Sequence, residues 1–260
     1  MQSFINYKNI QVAYSSQGKG SAIVLLHGFL ENSSMWKYLI EDLSKKNKVI
    51  SIDLLGHGNT ECLGYIHTME EMADVVKAVL KSLKIRKSTF IGHSMGGYVA
   101  LAFAEKYTKN IKGLCLMNST AQADSKERKE TRTRAIKMAQ TNYKSLIQIS
   151  VANLFAEESR ELFANEIETC KQEALKTPIQ GYIACSEGMK LRPNRESVLS
   201  SATFKKMIIT GKNDPIISLE SAQREAKRTQ TPLKVLSHGH MSYIENKEEL
   251  IKTLTNFIKN

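Results

Sequence analysis

Hydrophobic positions in this chain alternate between two patterns. Compact apolar runs, Ala22 to Leu26 and Lys48 to Ile52, have the length and β-branched content of buried strands. Between them, Ser34 to Lys45 places Met35, Leu39 and Leu43 at helical spacing, with Ser33 or Ser34 as the expected cap. Thr68-x-x-Glu71 is a capping-box pattern and opens a helix through Met72, Val75, Val76, Val79, Leu80 and Leu83. A strand over Ser88 to Ile91, a helix over Tyr98 to Tyr107 and a strand over Ile111 to Asn118 continue the alternation. Phe4 to Tyr7 and Ile10 to Ser15, separated by Lys8-Asn9, predict an opening hairpin. Strands and helices in βαβ order predict an α/β protein with a mostly parallel sheet.

From Ala121 to Ser201 the alternation stops and only helical spacing is found. Asp124-x-x-Glu127 is the expected cap of one helix, Tyr143 to Phe155 and Ser159 to Leu175 are two more, and Thr177-Pro178 reads as an N-cap followed by proline at the first helical position. Strands return at Lys205 to Thr210 and Leu233 to Leu236, with helices over Leu219 to Arg228 and Lys247 to Ile258. The expected organisation is a core of residues 1–120 and 202–260 with residues 121–201 inserted as a helical block.

The chemistry is concentrated at the ends of the apolar runs. Gly92-His93-Ser94-Met95-Gly96-Gly97 lies between a strand and a helix, where a G-x-S-x-G turn lifts its serine clear of its neighbours. A phosphate-binding loop has similar glycine spacing, but Tyr98 and Val99 stand where it needs a lysine and a hydroxyl. A serine hydroxyl is a weak nucleophile and needs a base, and the base needs a partner to fix its tautomer. Asp214, in Gly211-Lys212-Asn213-Asp214, and His240, after Gly239, each follow a strand, at the edge where parallel sheets place their ligands. His238 competes with His240 for the role of base, and Asp53, which precedes the serine, competes with Asp214 for that of the acid but reads as a loop stabiliser. The turn His27-Gly28-Phe29 follows the Ala22 to Leu26 strand, and the amides of Phe29 and Met95 are the candidate oxyanion donors. His27, His57 and His93 read as residues that bond the backbone of their own loops. Tyr98, Phe155, Met189 and Arg192 are candidate substrate contacts, with Trp36 and Tyr143 as further candidates, and each is equally at home in a core.

His27-Gly28-Phe29, Asp53-Leu54-Leu55-Gly56-His57-Gly58, the Ser94 turn, Gly211-x-x-Asp214 and Gly239-His240, in this order and spacing, resemble the α/β-hydrolase fold family over nearly the whole chain. The resemblance implies an eight-stranded, mostly parallel sheet with helices on both faces and a helical cap over Ser94. Met189 to Arg195 is similar to cap endings in small carboxylesterases and enol-lactonases. Epoxide hydrolases and haloalkane dehalogenases of the family carry an aspartate at this turn, so Ser94 argues against both chemistries. Glu245-Asn246-Lys247 departs from the Glu-x-Pro that many relatives carry past the histidine.

Composition changes the picture in two places. Net charge is +11, from 37 basic and 26 acidic residues, and Lys126, Arg128, Lys129, Arg132, Arg134, Lys137 and Lys144 crowd together against Asp124, Glu127 and Glu130. The plain reading is a solvated helix face; the alternative is a positive field that draws in an anionic substrate. No stacking platform or nucleic-acid motif accompanies the cluster. The four cysteines, Cys62, Cys115, Cys170 and Cys185, form no C-x-x-C pair, which argues against disulfides and zinc and fits a reducing compartment. With no signal-like or membrane-length apolar stretch, a cytoplasmic protein is expected. The expected activity is cleavage of a carboxylic ester by an acyl-enzyme route, on a small and possibly anionic substrate, with no cofactor, nucleic acid or membrane partner. The alternatives are C–C or enol-lactone hydrolysis, a lyase of the menaquinone-pathway type, and a non-catalytic ligand sensor on the same scaffold.

Overall fold

The structure, a computed structural model, describes residues 2–259; Met1 and Asn260, the outer bounds expected for the core, lie outside them. Eight strands form one sheet in the order β1-β2-β4-β3-β5-β6-β7-β8. They are β1 (Gln2–Tyr7), β2 (Ile10–Gln17), β3 (Ser21–Leu26), β4 (Asn47–Ile52), β5 (Ser88–His93), β6 (Ile111–Met117), β7 (Lys205–Gly211) and β8 (Leu233–Leu236). β2 pairs antiparallel with β1 and β4, and all other pairs are parallel. Lys8 and Asn9, both at positive φ, make the two-residue turn of the β1–β2 hairpin.

The continuous apolar runs of the central strands follow from burial on both faces. Successive residues point to opposite sides, so Val24, Leu26, Ile50, Phe90, Leu114 and Ile208 enter one core while Ile23, Leu25, Val49, Ile91, Cys115 and Ile209 enter the other. The first core is covered by α2 (Met69–Ser82) and α3 (Met95–Lys106), the second by α1 (Lys37–Leu43) and the C-terminal helix Lys247–Lys259. Thr68 caps α2 through the Glu71 amide, as the sequence pattern predicts. The helix expected from Ser34 opens instead with a 3-10 turn, Ser33–Trp36, capped by Asn32, because that side chain reaches the Ser34 amide.

Between β6 and β7 lies the inserted helical cap, with α4 (Lys126–Ala152), α5 (Ser159–Leu162), α6 (Ala164–Ala174), α7 (Ile179–Leu191) and α8 (Glu196–Ser200). Four sequence expectations shift here. Ser125 rather than Asp124 caps α4, since Asp124 is drawn away by Arg132 and Arg192. The separate helix expected from Tyr143 is continuous with α4 across a kink at Asn142 (φ −146°, ψ 63°). The Ser159 to Leu175 helix is broken at Phe163 into α5 and α6. Pro178 has ψ 149° and occupies the cap of α7 itself, one residue later than expected. The last cap element, α8, leaves the roof and packs on α3 and on α9 (Leu219–Thr229) in the main body. The roof has its own small core of Ala139, Leu146, Ile147, Val151, Ala174 and Tyr182, into which Leu30 is inserted from the turn after β3. All four cysteines are free, and among the described residues no helix is long and apolar enough to cross a membrane.

Candidate active site

Four loops at the C-terminal ends of β3, β5, β7 and β8 converge beneath the cap. The chain runs from β3 outward to β4 and then back across to β5, so the strand order reverses there and opens a crevice. Ser94 sits on the tight bend between β5 and α3 with φ 48° and ψ −115°. A non-glycine residue in that region costs roughly 1–3 kcal/mol, and neighbouring contacts hold it there. Its amide donates to the Met117 carbonyl (3.0 Å), and its carbonyl accepts from the Ser119 hydroxyl (2.7 Å) and the Gly97 amide (3.0 Å). The bend also needs bare backbone: a β-carbon at Gly92 would lie 2.5 Å from the Gly96 carbonyl carbon, and one at Gly97 would strike the Ser119 side chain.

Asp214 and His240 meet across the ends of β7 and β8. The Nδ1 of His240 lies 3.0 and 2.9 Å from the two Asp214 carboxylate oxygens. Since only an acceptor faces it, Nδ1 carries the proton and Nε2 is left with the lone pair. The Asp214 Oδ1 also accepts from the Ile216 and Ile217 amides (2.8 and 3.0 Å), and its Oδ2 from the Asn118 amide group (3.0 Å). Burial alone would raise this carboxyl, but the His240 ring and the Asn118 donor outweigh it and lower its pKa.

The turn after β3 supplies a free donor by elimination. The Gly28 amide donates to Glu31, the Leu30 amide to the His57 ring (3.1 Å) and the Glu31 amide to the Gly28 carbonyl (3.3 Å). Among the described residues no protein group accepts from the Phe29 amide. Met95 opens α3, so its N–H is one of those a helix leaves without an internal partner. Ser94, His240, Phe29, Tyr98 and Met189 line one cavity of about 310 Å³. A larger cavity, about 520 Å³, shares the Phe29–Glu31 turn and Leu154 as a common wall but does not include Ser94.

A sequence profile of the alpha/beta hydrolase fold matches residues 21–247. The chain belongs to the α/β-hydrolase fold family. A thermophilic esterase from Thermogutta terrifontis, solved with malate bound, shares 30% identity and superposes with a TM-score of 0.93 over 100% of this chain and 98% of its own. The enol-lactonase from Burkholderia xenovorans has the same fold, with a TM-score of 0.92 over 99% and 100% of the two chains at 22% identity. A 3-oxoadipate enol-lactonase of Acinetobacter baylyi is 24% identical over 97% of this chain and 94% of its own. Other relatives align in part: an uncharacterized Mycobacterium tuberculosis protein is 34% identical over 107 residues, 31% of its length.

Two candidate contacts of this hydrolase lie elsewhere. Phe155 is fully buried in the core that holds Trp36 and Met241, and takes no part in the cavity wall. Arg192 is also buried: its guanidinium pairs with Asp124 (2.8 Å) and stacks 3.9 Å from the Tyr98 ring centre, so it stands behind the wall that Tyr98 forms. Trp36 is core, and Tyr143 donates its hydroxyl to the Thr177 carbonyl (2.6 Å) inside the cap. His238 does not line the cavity. Asp53 accepts from the Ser33 and Asn59 amides (2.8 and 3.0 Å) and holds those loops. His57, pressed by burial and by His27, has its pKa lowered to about 3, while Nε2 of His27 accepts from the Leu54 amide (2.9 Å).

Three supports were not legible in the sequence. Asn118, at φ 47°, fastens Asp214 to the Gly239 carbonyl. Glu245 accepts from the Gly239 and Met241 amides on either side of His240, and from Ala156 in the cap. Glu31, buried, accepts from the Gly28 amide (2.5 Å) and from His93 Nδ1 (2.8 Å), whose Nε2 donates to the His240 carbonyl (3.0 Å). Burial works against charge on both members of that pair, yet their mutual attraction wins: the His93 pKa is raised and the Glu31 pKa lowered. An acceptor faces each ring nitrogen of His93, an arrangement that suits the doubly protonated ring. His93 ties together the loops of Phe29, Ser94 and His240.

Proposed function

We propose that this hydrolase cleaves carboxylic esters through an acyl-enzyme formed on Ser94. His240 Nε2 takes the hydroxyl proton as Ser94 attacks the ester carbonyl, and the Phe29 and Met95 amides hold the oxyanion that develops. The alcohol leaves with the proton from His240, which then activates water to release the acid. Asp214 keeps Nδ1 protonated throughout and stabilises the imidazolium. The observation that carries the reading is the Asp214–His240 contact beside a strained Ser94 that shares its cavity. Likeness to the Thermogutta terrifontis esterase supports the ester bond as the target.

Fluorophosphonate labelling together with turnover of short p-nitrophenyl esters tests it. The wild type is expected to label and turn over, and Ser94→Ala to do neither, with turnover down roughly 10⁶-fold. A folded Ser94→Ala protein that retains activity would overturn the assignment, and an inert wild type would favour a ligand sensor. Likeness to enol-lactonases supports a second reading, opening of an enol-lactone by the same groups. Turnover of an enol-lactone with none of simple esters would favour it.

A further inference from the structure

The cap presents one face of α4 to the cavity of Ser94. Arg128, Thr131, Arg132 and Ala135 line it, a spacing of i, i+3, i+4 and i+7 that puts all four on one stripe of the helix. The basic run of α4 is therefore divided between solvent and this wall.

The charges around the cavity do not cancel. Glu31 is matched by His93, and Asp214 lies against His240. Arg132 pairs with Asp124 (2.6 Å), but the same carboxylate also holds Arg192 (2.8 Å) from behind Tyr98. Arg128 is the third guanidinium of this group, and among the described residues no side chain or carbonyl accepts from it. One aspartate is thus shared by two arginines, and the third has no acidic partner among the described residues. Arg128 is itself exposed to solvent, and the Arg132 charge beside it is offset in part by Asp124. Arg128, Tyr98 and Ile216 are also shared with an outer cleft, which places Arg128 at a mouth of the cavity.

We propose that Arg128 is a specificity-determining residue that receives a carboxylate carried by the substrate at a distance from the scissile carbonyl. A planar guanidinium with all its donors free matches a carboxylate in a two-point contact, which the neighbouring Thr131 hydroxyl and Arg132 can extend. The substrate class is then a half-ester or lactone of a dicarboxylic acid rather than a neutral ester. This rests on the hydrolase reading above and narrows it.

The test compares monomethyl succinate, glutarate and adipate with neutral methyl esters of matched length, methyl pentanoate for the glutarate, by methanol release. In the wild type at least one half-ester is expected to exceed its neutral counterpart in kcat/KM by tenfold or more. Arg128→Gln is expected to cut that ratio about 10- to 100-fold, mainly through KM, the scale of hydrogen bonds to a charged group. Arg128→Lys should recover part of it, and Arg128→Glu should drive it below one. Wild-type preference for the neutral ester at all three lengths, or an unchanged ratio in Arg128→Gln, would overturn the proposal. Titration calorimetry of glutarate and adipate with Ser94→Ala gives a readout free of turnover. Binding that weakens at least tenfold when Arg128→Gln is added supports the proposal even if no ester is cleaved, and binding indifferent to Arg128 refutes it while leaving ester hydrolysis standing.

Discussion

Glu31→Ala removes the anion that holds His93 protonated and leaves the Gly28 amide without its acceptor. Breaking a buried ion pair from one side costs roughly 3–5 kcal/mol when the other charge stays. His93 can shed its proton instead, so the cost depends on pH. The folded pKa of His93 is raised above its ordinary 6.5, so its contribution is complete below 6.5 and is lost as pH rises through the folded value. The folded pKa of Glu31 is lowered below 4.5, so its contribution is present above 4.5 and is lost as pH falls through the folded value. The stability gap between wild type and Glu31→Ala should therefore be widest between pH 4.5 and 6.5 and narrow on the alkaline side. Urea unfolding of both proteins from pH 5 to 9 measures it directly. Turnover at pH 7.5 should also drop, by about 10- to 100-fold, because the Phe29 turn loses its anchor to the Ser94 bend. A gap that is flat across this range, or smaller than about 1 kcal/mol at pH 5.5, would refute the charged state assigned to the pair.

Two further outcomes follow from close contacts at the site and in the cap. Asp214→Asn keeps the shape beside His240 but offers a donor to Nδ1, so turnover should drop roughly 10⁴-fold in steady-state assays with little change in KM; a loss under tenfold would remove Asp214 from its role. Gly188→Ala puts a methyl group onto the His67 carbonyl, and urea unfolding should show a loss of about 1–3 kcal/mol; an unchanged midpoint would mean that α7 is free to shift.

Much of this fold could be read in advance because its strands are buried on both faces and its chemistry sits at strand ends. Ala22 to Leu26 is an unbroken apolar run for the first reason, and the glycines around Ser94 and before His240 stand out for the second. The less legible parts depend on partners far apart in the chain. Nothing local distinguishes Asn118, whose amide reaches Asp214 from 96 residues away, or Glu31, which meets His93 from 62 away. Asp124 has the local chemistry of a cap, but two arginines outbid the helix amides and Ser125 takes the place. Arg192 is claimed by a counter-ion and an aromatic face, and Phe155 by the core it shares with Trp36, and neither partner is visible in the local sequence.

The α7 contact has a consequence for how this enzyme can change. Gly181 rests on the Gly56 backbone and Gly188 on that of His67, so any larger residue at either place would pry the helix away. The opposite wall, contributed by α4, meets the substrate space through side chains that can be exchanged one at a time. One strut of the roof is fixed and the other is a replaceable lining, so new selectivity can arise along residues 128–135 while the scaffold above Ser94 stays put.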